Sequence, residues 1–138
     1  MTWRYMLDTN IISYLLRGRH PALEERLRQH PVDAVCMSAV TRAELRYGLA
    51  RRPDAARLAR EVERLLQGVA ALPWDDAAAD AYGIVRATLE GRGQPIGALD
   101  TMIAVHALVT DTTLVTNNLN EFRRVPGLRV ENWTDSVN

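Results

Sequence analysis

Ile96-Gly-Ala-Leu-Asp-Thr-Met-Ile-Ala-Val-His-Ala-Leu-Val109 carries apolar residues on nearly every side of a helical projection. A helix of that kind has little contact with water and is covered by neighbouring layers. It nevertheless holds Asp100, and an ionised carboxylate in apolar company is costly unless a cation or several hydrogen bonds compensate it. Two further acids stand in comparable surroundings. Asp8 ends the run Trp3-Arg-Tyr-Met-Leu7, and Glu44 lies within Ser38-Ala-Val-Thr-Arg-Ala-Glu-Leu-Arg-Tyr47. Three acids at the edges of apolar elements suggest one shared site, and the simplest shared partner is a divalent metal ion.

The surrounding pattern places those edges. Trp3–Leu7 reads as a short buried strand, followed by a helix over about Asn10–Arg17 that Gly18 stops, and Pro21 opens a second helix through about Gln29. Val32–Met37 reads as another buried strand, and Ser38 caps the helix carrying Glu44. Pro53-Asp54 starts an Arg/Glu/Leu-rich helix through about Gln67, Val69–Leu72 is strand-like, and Asp75 caps an alanine-rich helix running to Gly91. After the Asp100 helix come a strand over Thr113–Thr116, a short helix around Asn118–Arg124 and a last strand over Leu128–Trp133. Short strands alternating with helices, without hairpin turns, predict an α/β fold: a parallel sheet of about five strands with helices on both faces. In such sheets sites form beyond the carboxyl ends of the strands, where Asp8, Glu44, Asn117 and Asn118 all fall.

Composition narrows the function classes. The chain has 138 residues, 47% of them hydrophobic, which predicts one globular domain over residues 1–138. No apolar run reaches the roughly 18 residues of a membrane span, and the N-terminus shows no export signal, so the expectation is a cytoplasmic protein without membrane contact. The single cysteine, Cys36, cannot form an internal disulfide and reads as a core thiol. Formal net charge is zero, so any nucleic-acid contact must come from a local patch. All 17 basic residues are arginine. Chemistry that needs an amine is thereby excluded, while planar bidentate contacts to phosphate or carboxylate are favoured.

Singly, each acid has an ordinary explanation. Asp8-Thr9-Asn10 is good helix-cap sequence, a helical Glu44 is commonly solvated, and Asp100 suits the positive end of a helix dipole. Their order and spacing carry more. Leu7-Asp-Thr-Asn10, Ser38 to Gly48 around Glu44, Pro95 to Ala107 around Asp100, and Leu114-Val-Thr-Asn-Asn118 with Glu121-Phe122 together resemble a PIN-domain ribonuclease. More narrowly they resemble the VapC toxins of type II toxin–antitoxin pairs, and the likeness runs through Val125 to Trp133.

The resemblance implies that Asp8, Glu44 and Asp100 are the metal-binding, catalytic acids of a PIN-like fold. Thr116 takes the place of the family's polar residue after the fourth strand. Some members carry a further acid where this chain has Asn118, whose carbonyl can still offer an oxygen or hold a water. Glu121 lies one turn on, where it either substitutes for that acid or only faces solvent; the solvent-facing reading is preferred to that of a metal ligand, and Glu121 and Asn10 stand as possible supports. The implied reaction is endonucleolytic cleavage of RNA, with initiator tRNA, cut in its anticodon loop, as the leading substrate. The implied partners are a VapB-type antitoxin, which places a basic side chain among the acids, and a second copy of the chain in a homodimer.

From below, the chemistry agrees. Carboxylates are hard ligands suited to Mg²⁺ or Mn²⁺, and Mg²⁺ shares its shell with water and phosphate. His106 falls six residues after Asp100, so it points away and reads as a hydrogen-bonded core histidine, while His20 and His30 read as loop or surface residues. Asp75, Asp76 and Asp80 serve a helix start. Arg57, Arg60 and Arg64 read as a solvated face, and Arg42 and Arg46, flanking Glu44, are the candidates for RNA phosphate contact. A signalling receiver domain, also α/β with acids around Mg²⁺, would need paired acids after the first strand and a lysine, and this chain has neither.

Overall fold

The computed structural model describes residues 2–134 and builds them around one five-stranded parallel sheet in the order β3-β2-β1-β4-β5. The strands are β1 (Tyr5–Leu7), β2 (Val35–Ser38), β3 (Ala70–Leu72), β4 (Thr113–Val115) and β5 (Val130–Glu131). Between them run α1 (Thr9–Arg17), α2 (Pro21–Arg28), α3 (Ala39–Ala50), α4 (Ala56–Gly68), α5 (Asp76–Gly91), α6 (Ala98–Val109) and α7 (Leu119–Phe122). The sequence-based architecture, a parallel sheet of five strands covered by helices on both faces, is what the chain adopts.

Strand side chains alternate between the two layers, as the pleat requires. Leu7, Val35, Met37 and Val115 pack with Ile11, Ile12, Leu23 and Val62 from α1, α2 and α4. Met6, Cys36 and Leu114 pack with Leu89, Ile103, Ala104, Ala107 and Phe122 from α5, α6 and α7. Both faces of the central strands are therefore buried, which is why these strands read as continuous apolar runs rather than alternating ones. Cys36 lies wholly inside, and burial pushes its thiol up to about 12, so it stays protonated and inert.

The chain lays down β1, β2 and β3 to one side and then returns to place β4 against the free edge of β1. That reversal opens a crevice at the carboxyl ends of β1 and β4, the place where doubly wound sheets put their sites.

Several boundaries differ from the sequence expectation. Val32–Ala34 forms a 3₁₀ turn instead of entering the strand, closed by the Ala34 amide on the Pro31 carbonyl at 3.0 Å. Pro53-Asp54 sits in a turn, and α4 starts only at Ala56. The last strand shrinks to Val130–Glu131, although Trp133 beyond it is fully buried. His30 is not a free surface residue: its ring packs between Tyr5 and Trp133, with centroids 4.5 and 5.1 Å away. His20 likewise lies against Tyr14 at 4.2 Å.

Ser38 ties the two halves together. Its Oγ accepts the Val40 amide at 3.0 Å as the cap of α3, and it lies 2.7 Å from Nδ1 of His106 on α6. The other ring nitrogen reaches the Pro73 carbonyl, which can only accept. Ser38 therefore donates to Nδ1, and burial holds His106 below its ordinary pKa, in the neutral form. The core-histidine reading of His106 thus agrees with the structure. Ser38→Ala removes both the cap and the buried partner of Nδ1, and should destabilise the fold by about 1–3 kcal/mol. Urea unfolding of the variant measures this, and an unchanged midpoint would contradict the dual role.

Candidate active site

Asp8 is the first residue past β1, and its amide still donates to the Val115 carbonyl of β4 at 3.0 Å. Its carboxylate turns onto the start of α1, where Oδ1 accepts the Ile11 amide at 2.9 Å. A capping acid is favoured there by the orphan amides and the helix dipole. Thr116, fully buried after β4, completes the seat. Its Oγ1 accepts the Asn118 amide at 3.0 Å, which leaves the hydroxyl proton to donate to Asp8. The carboxylate is only 4% exposed. Burial raises its pKa despite the hydrogen bonds from Thr116, Ile11 and Asn10, and the charge of Glu44 adds to the rise.

Glu44 approaches from α3, which springs from the carboxyl end of β2. Thr9 donates to its Oε1 at 2.8 Å. Thr41 stands 3.2 Å from the same Thr9 hydroxyl, so with the Thr9 proton committed to Glu44, Thr41 is the donor in that pair. This short chain of hydroxyls links α1 to α3 and fixes the carboxylate. Thr9 does not stand out in the sequence, because a threonine beside an N-cap has an ordinary local role.

Asp100 occupies the first turn of α6. Burial, a hydrogen bond with Glu121, and the charges of Glu121, Asp8 and Glu44 raise its pKa to about 7. Three other carboxylates therefore act on Asp100. The solvent-facing reading of Glu121 does not hold in the structure. Its Oε1 accepts the Gly97 amide at 3.4 Å, its Oε2 accepts from the Asn118 side chain, and the carboxyl itself meets Asp100. Asn118 thus serves the cluster through Glu121. Sequence spacing leaves the placement of Glu121 beside Asp100 open, because it depends on how α6 and α7 come together.

The remaining candidates divide. Asn10 is exposed and contributes its backbone to Asp8. Arg42 and Arg46 are exposed on α3, where Arg46 pairs with Glu63 of α4 and Arg42 acts on the same carboxylate. Arg46 is therefore engaged towards α4, while Arg42 forms no ion pair among the described residues. Asn117 lies beside the site, its Nδ2 donating to the Tyr14 hydroxyl at 2.7 Å while its buried Oδ1 has no partner.

No arginine forms an ion pair with Asp8, Glu44, Asp100 or Glu121 among the described residues. What these oxygens lack is positive charge, and hard oxygen donors fit a divalent cation. The acids do not form a closed cage: among the described residues no three His, Cys, Asp or Glu side chains are grouped as a ready-made metal site. Burial first, and the neighbouring carboxylates after it, raise the pKa of Asp8 and Asp100.

Because Asp100 binds its proton more tightly folded than unfolded, its contribution favours folding at low pH. That contribution is lost as pH rises from about 3.8 towards about 7. Asp100→Asn should therefore leave metal-free stability unchanged near pH 4, raise it increasingly up to about pH 7, and hold that gain at higher pH. Adding a divalent cation at pH 8 should raise the melting temperature of the unsubstituted chain more than that of the variant. Thermal melts across pH read both effects, and a difference that does not vary with pH would contradict the charge argument.

The PIN domain family model matches residues 5–128. The tRNA(fMet)-specific endonuclease VapC of Shigella flexneri is 37% identical over 131 residues, covering 95% of this chain and 98% of that protein. Ribonuclease VapC2 of Haemophilus influenzae strain KW20 is 38% identical over 130 residues, covering 94% and 98%. Among solved structures, DNA-bound VapBC from Salmonella typhimurium superposes with a TM-score of 0.90 at 36% identity, over 96% of this chain and 99% of that one. VapBC-1 from nontypeable Haemophilus influenzae gives 0.86 at 39%, over 95% and 98%. With its acids gathered at the β1–β4 crevice and this likeness along nearly its whole length, the chain belongs to the PIN-domain family, in the branch of the VapC toxins.

Proposed function

We propose that this chain works as a single PIN-like domain and is a divalent-metal-dependent endoribonuclease, the toxin of a type II toxin–antitoxin pair. The observation that carries the reading is the placement of Asp8, Glu44, Asp100 and Glu121 at the switch point of the sheet, with none of them in an ion pair with an arginine among the described residues. Asp8, Glu44 and Asp100 would hold Mg²⁺, with Mn²⁺ able to replace it, and Glu121 supports Asp100. A cation bound there would offset phosphate charge and lower the pKa of a bound water.

The chain's own residues prepare the rest. Thr116 and the α1 amides hold the Asp8 carboxylate, and Thr9 holds Glu44. Glu121, next to Asp100, offers a carboxylate oxygen for the proton that an attacking water gives up. His106 is buried, neutral and committed to Ser38 and Pro73, and the chain has no lysine, so the usual proton carriers of 2′-hydroxyl attack are missing from this crevice. The expected reaction is in-line attack of water on phosphorus, with the P–O3′ bond breaking to leave a 5′-phosphate and a 3′-hydroxyl.

The VapC relatives named for initiator-type tRNA make tRNA(fMet), cut in its anticodon loop, the leading substrate. The VapBC structures support a VapB-type antitoxin as partner, and a homodimer follows the family resemblance. No helix among the described residues is long and apolar enough to cross a membrane, and a toxin acting on tRNA works in the cytoplasm.

Asp8→Asn and Asp100→Asn should each abolish RNA cleavage and growth arrest while leaving a folded protein, and EDTA should abolish cleavage by the unsubstituted chain. Unfolding of both variants would instead make these acids structural. End-group analysis of the products tests the reaction: a 5′-phosphate and cleavage of a substrate with 2′-deoxyribose at the cut site are expected. A 2′,3′-cyclic phosphate would overturn the water-attack mechanism. Co-expression of a small protein encoded next to this one should yield a complex that suppresses cleavage; without such a partner the toxin role fails and the nuclease role stands.

A further inference from the structure

Beside the acid cluster a cleft of about 560 Å³ opens between α1, α3 and α4. Thr9 and Glu44 line its inner end, and Arg17, Tyr47, Arg51 and Arg52 line its flank. It adjoins a second cleft of about the same size through shared Leu16, Arg17 and Leu58, where Arg19 and Arg57 stand. None of these five arginines forms an ion pair among the described residues, whereas six of the other twelve do, and Glu61 is the acid that stands with Arg19 and Arg57 in the second cleft. In a chain of zero net charge, these uncommitted cations make one positive path leading from the acids.

Tyr47 is the aromatic member of that path. It lies three residues after Glu44 on α3, so the two side chains share a face of the helix. Tyr47 is 64% exposed, with most of its ring uncovered, and the Arg51 guanidinium lies 5.6 Å from the ring centroid. Next to it Gly48 leaves the cleft open, since a Cβ there would meet nothing within 4 Å. Exposed aromatic surface interleaved with arginines is how single-stranded nucleic acid is held: bases stack and guanidinium groups take phosphates.

We infer that the Tyr47 ring stacks a base of single-stranded RNA next to the cut site, while Arg17, Arg51 and Arg52 hold the flanking phosphates and Arg19 and Arg57 extend the track. This deepens the nuclease reading and rests on it. The cleft therefore selects an unpaired loop, since a base inside a duplex presents no free face to Tyr47.

The test uses the full chain with Ca²⁺ in place of Mg²⁺, to permit binding without turnover, and a short fluorescent single-stranded RNA titrated at several salt concentrations. Tyr47→Ala should weaken binding roughly tenfold with the salt dependence unchanged, and Tyr47→Phe should restore it. Arg51→Gln with Arg52→Gln should lower the slope of log K against log salt by about 0.7 for each phosphate no longer neutralised. Arg28→Gln, on a paired surface arginine, should do neither. With Mg²⁺ the cleft variants should reduce kcat/KM through KM.

Wild-type binding and salt slope in all cleft variants, alongside RNA cleavage by the unsubstituted chain, would overturn the inference and leave the nuclease assignment standing. Variants that keep RNA binding but escape inhibition by the antitoxin would give the cleft to the protein partner and overturn it equally. If the unsubstituted chain neither binds nor cuts RNA, the nuclease reading itself falls, and this one with it.

Discussion

Everything at the crevice depends on keeping a carboxylate charged, or ready to be charged, where water hardly reaches. Asp8 is the extreme case. It is seated by an amide of α1 and the Thr116 hydroxyl, two groups that exist together only because β4 returns to lie against β1. Those hydrogen bonds offset part of the desolvation cost, and the rise in its pKa shows that they do not offset all of it. The site is therefore built with a deficit of positive charge. A cation that enters finds its binding strengthened by the same low polarity that makes the empty arrangement costly.

The supporting shell follows from that deficit. Four carboxylates from four helices repel one another, so each needs an anchor outside the cluster. Glu44 has Thr9, Asp8 has Thr116, and Glu121 has the Gly97 amide and the Asn118 side chain. Asp100 alone leans on another acid, and its proton affinity is raised to about 7. The layers behind these anchors are apolar and closely covered, and the polar link through the core, Ser38 with His106, is fully satisfied by the Pro73 carbonyl and the Val40 amide. Rigid layers hold the acids near one another at a distance that their charges alone would increase.

Much of this was legible in the sequence. The apolar helix of Asp100, the caps at Ser38 and Asp75, and the strand–helix alternation are local patterns, and the structure follows them. Asp8, Glu44 and Asp100 are readable because acids in apolar runs are exceptions that need a reason. What escaped was non-local. The solvent-facing reading of Glu121 failed because only the packing of α6 against α7 brings it to Asp100. Arg42 and Arg46 flank Glu44 in the chain, yet a helix turns residues two apart towards different directions, and Arg46 finds Glu63 of α4 instead. His30 looks like a loop residue because its two aromatic neighbours, Tyr5 and Trp133, come from opposite ends of the chain.

The arginines show how a neutral protein can handle a polyanion. Of the 17, those engaged by acids lie on outer faces, where ion pairs contribute little to stability but cancel the field. Arg17, Arg19, Arg51, Arg52 and Arg57 stay outside such pairs along the clefts of α1 and α4, where they outnumber Glu44 and Glu61. A strand of RNA meets that positive path on one side of Glu44 and the carboxylates on the other. Without a cation among them the acids would repel its phosphates, so the arginines can bind RNA where the acids alone do not. Recognition and cutting are separated in this way by the sign of charge alone, with Glu44 on the boundary between them.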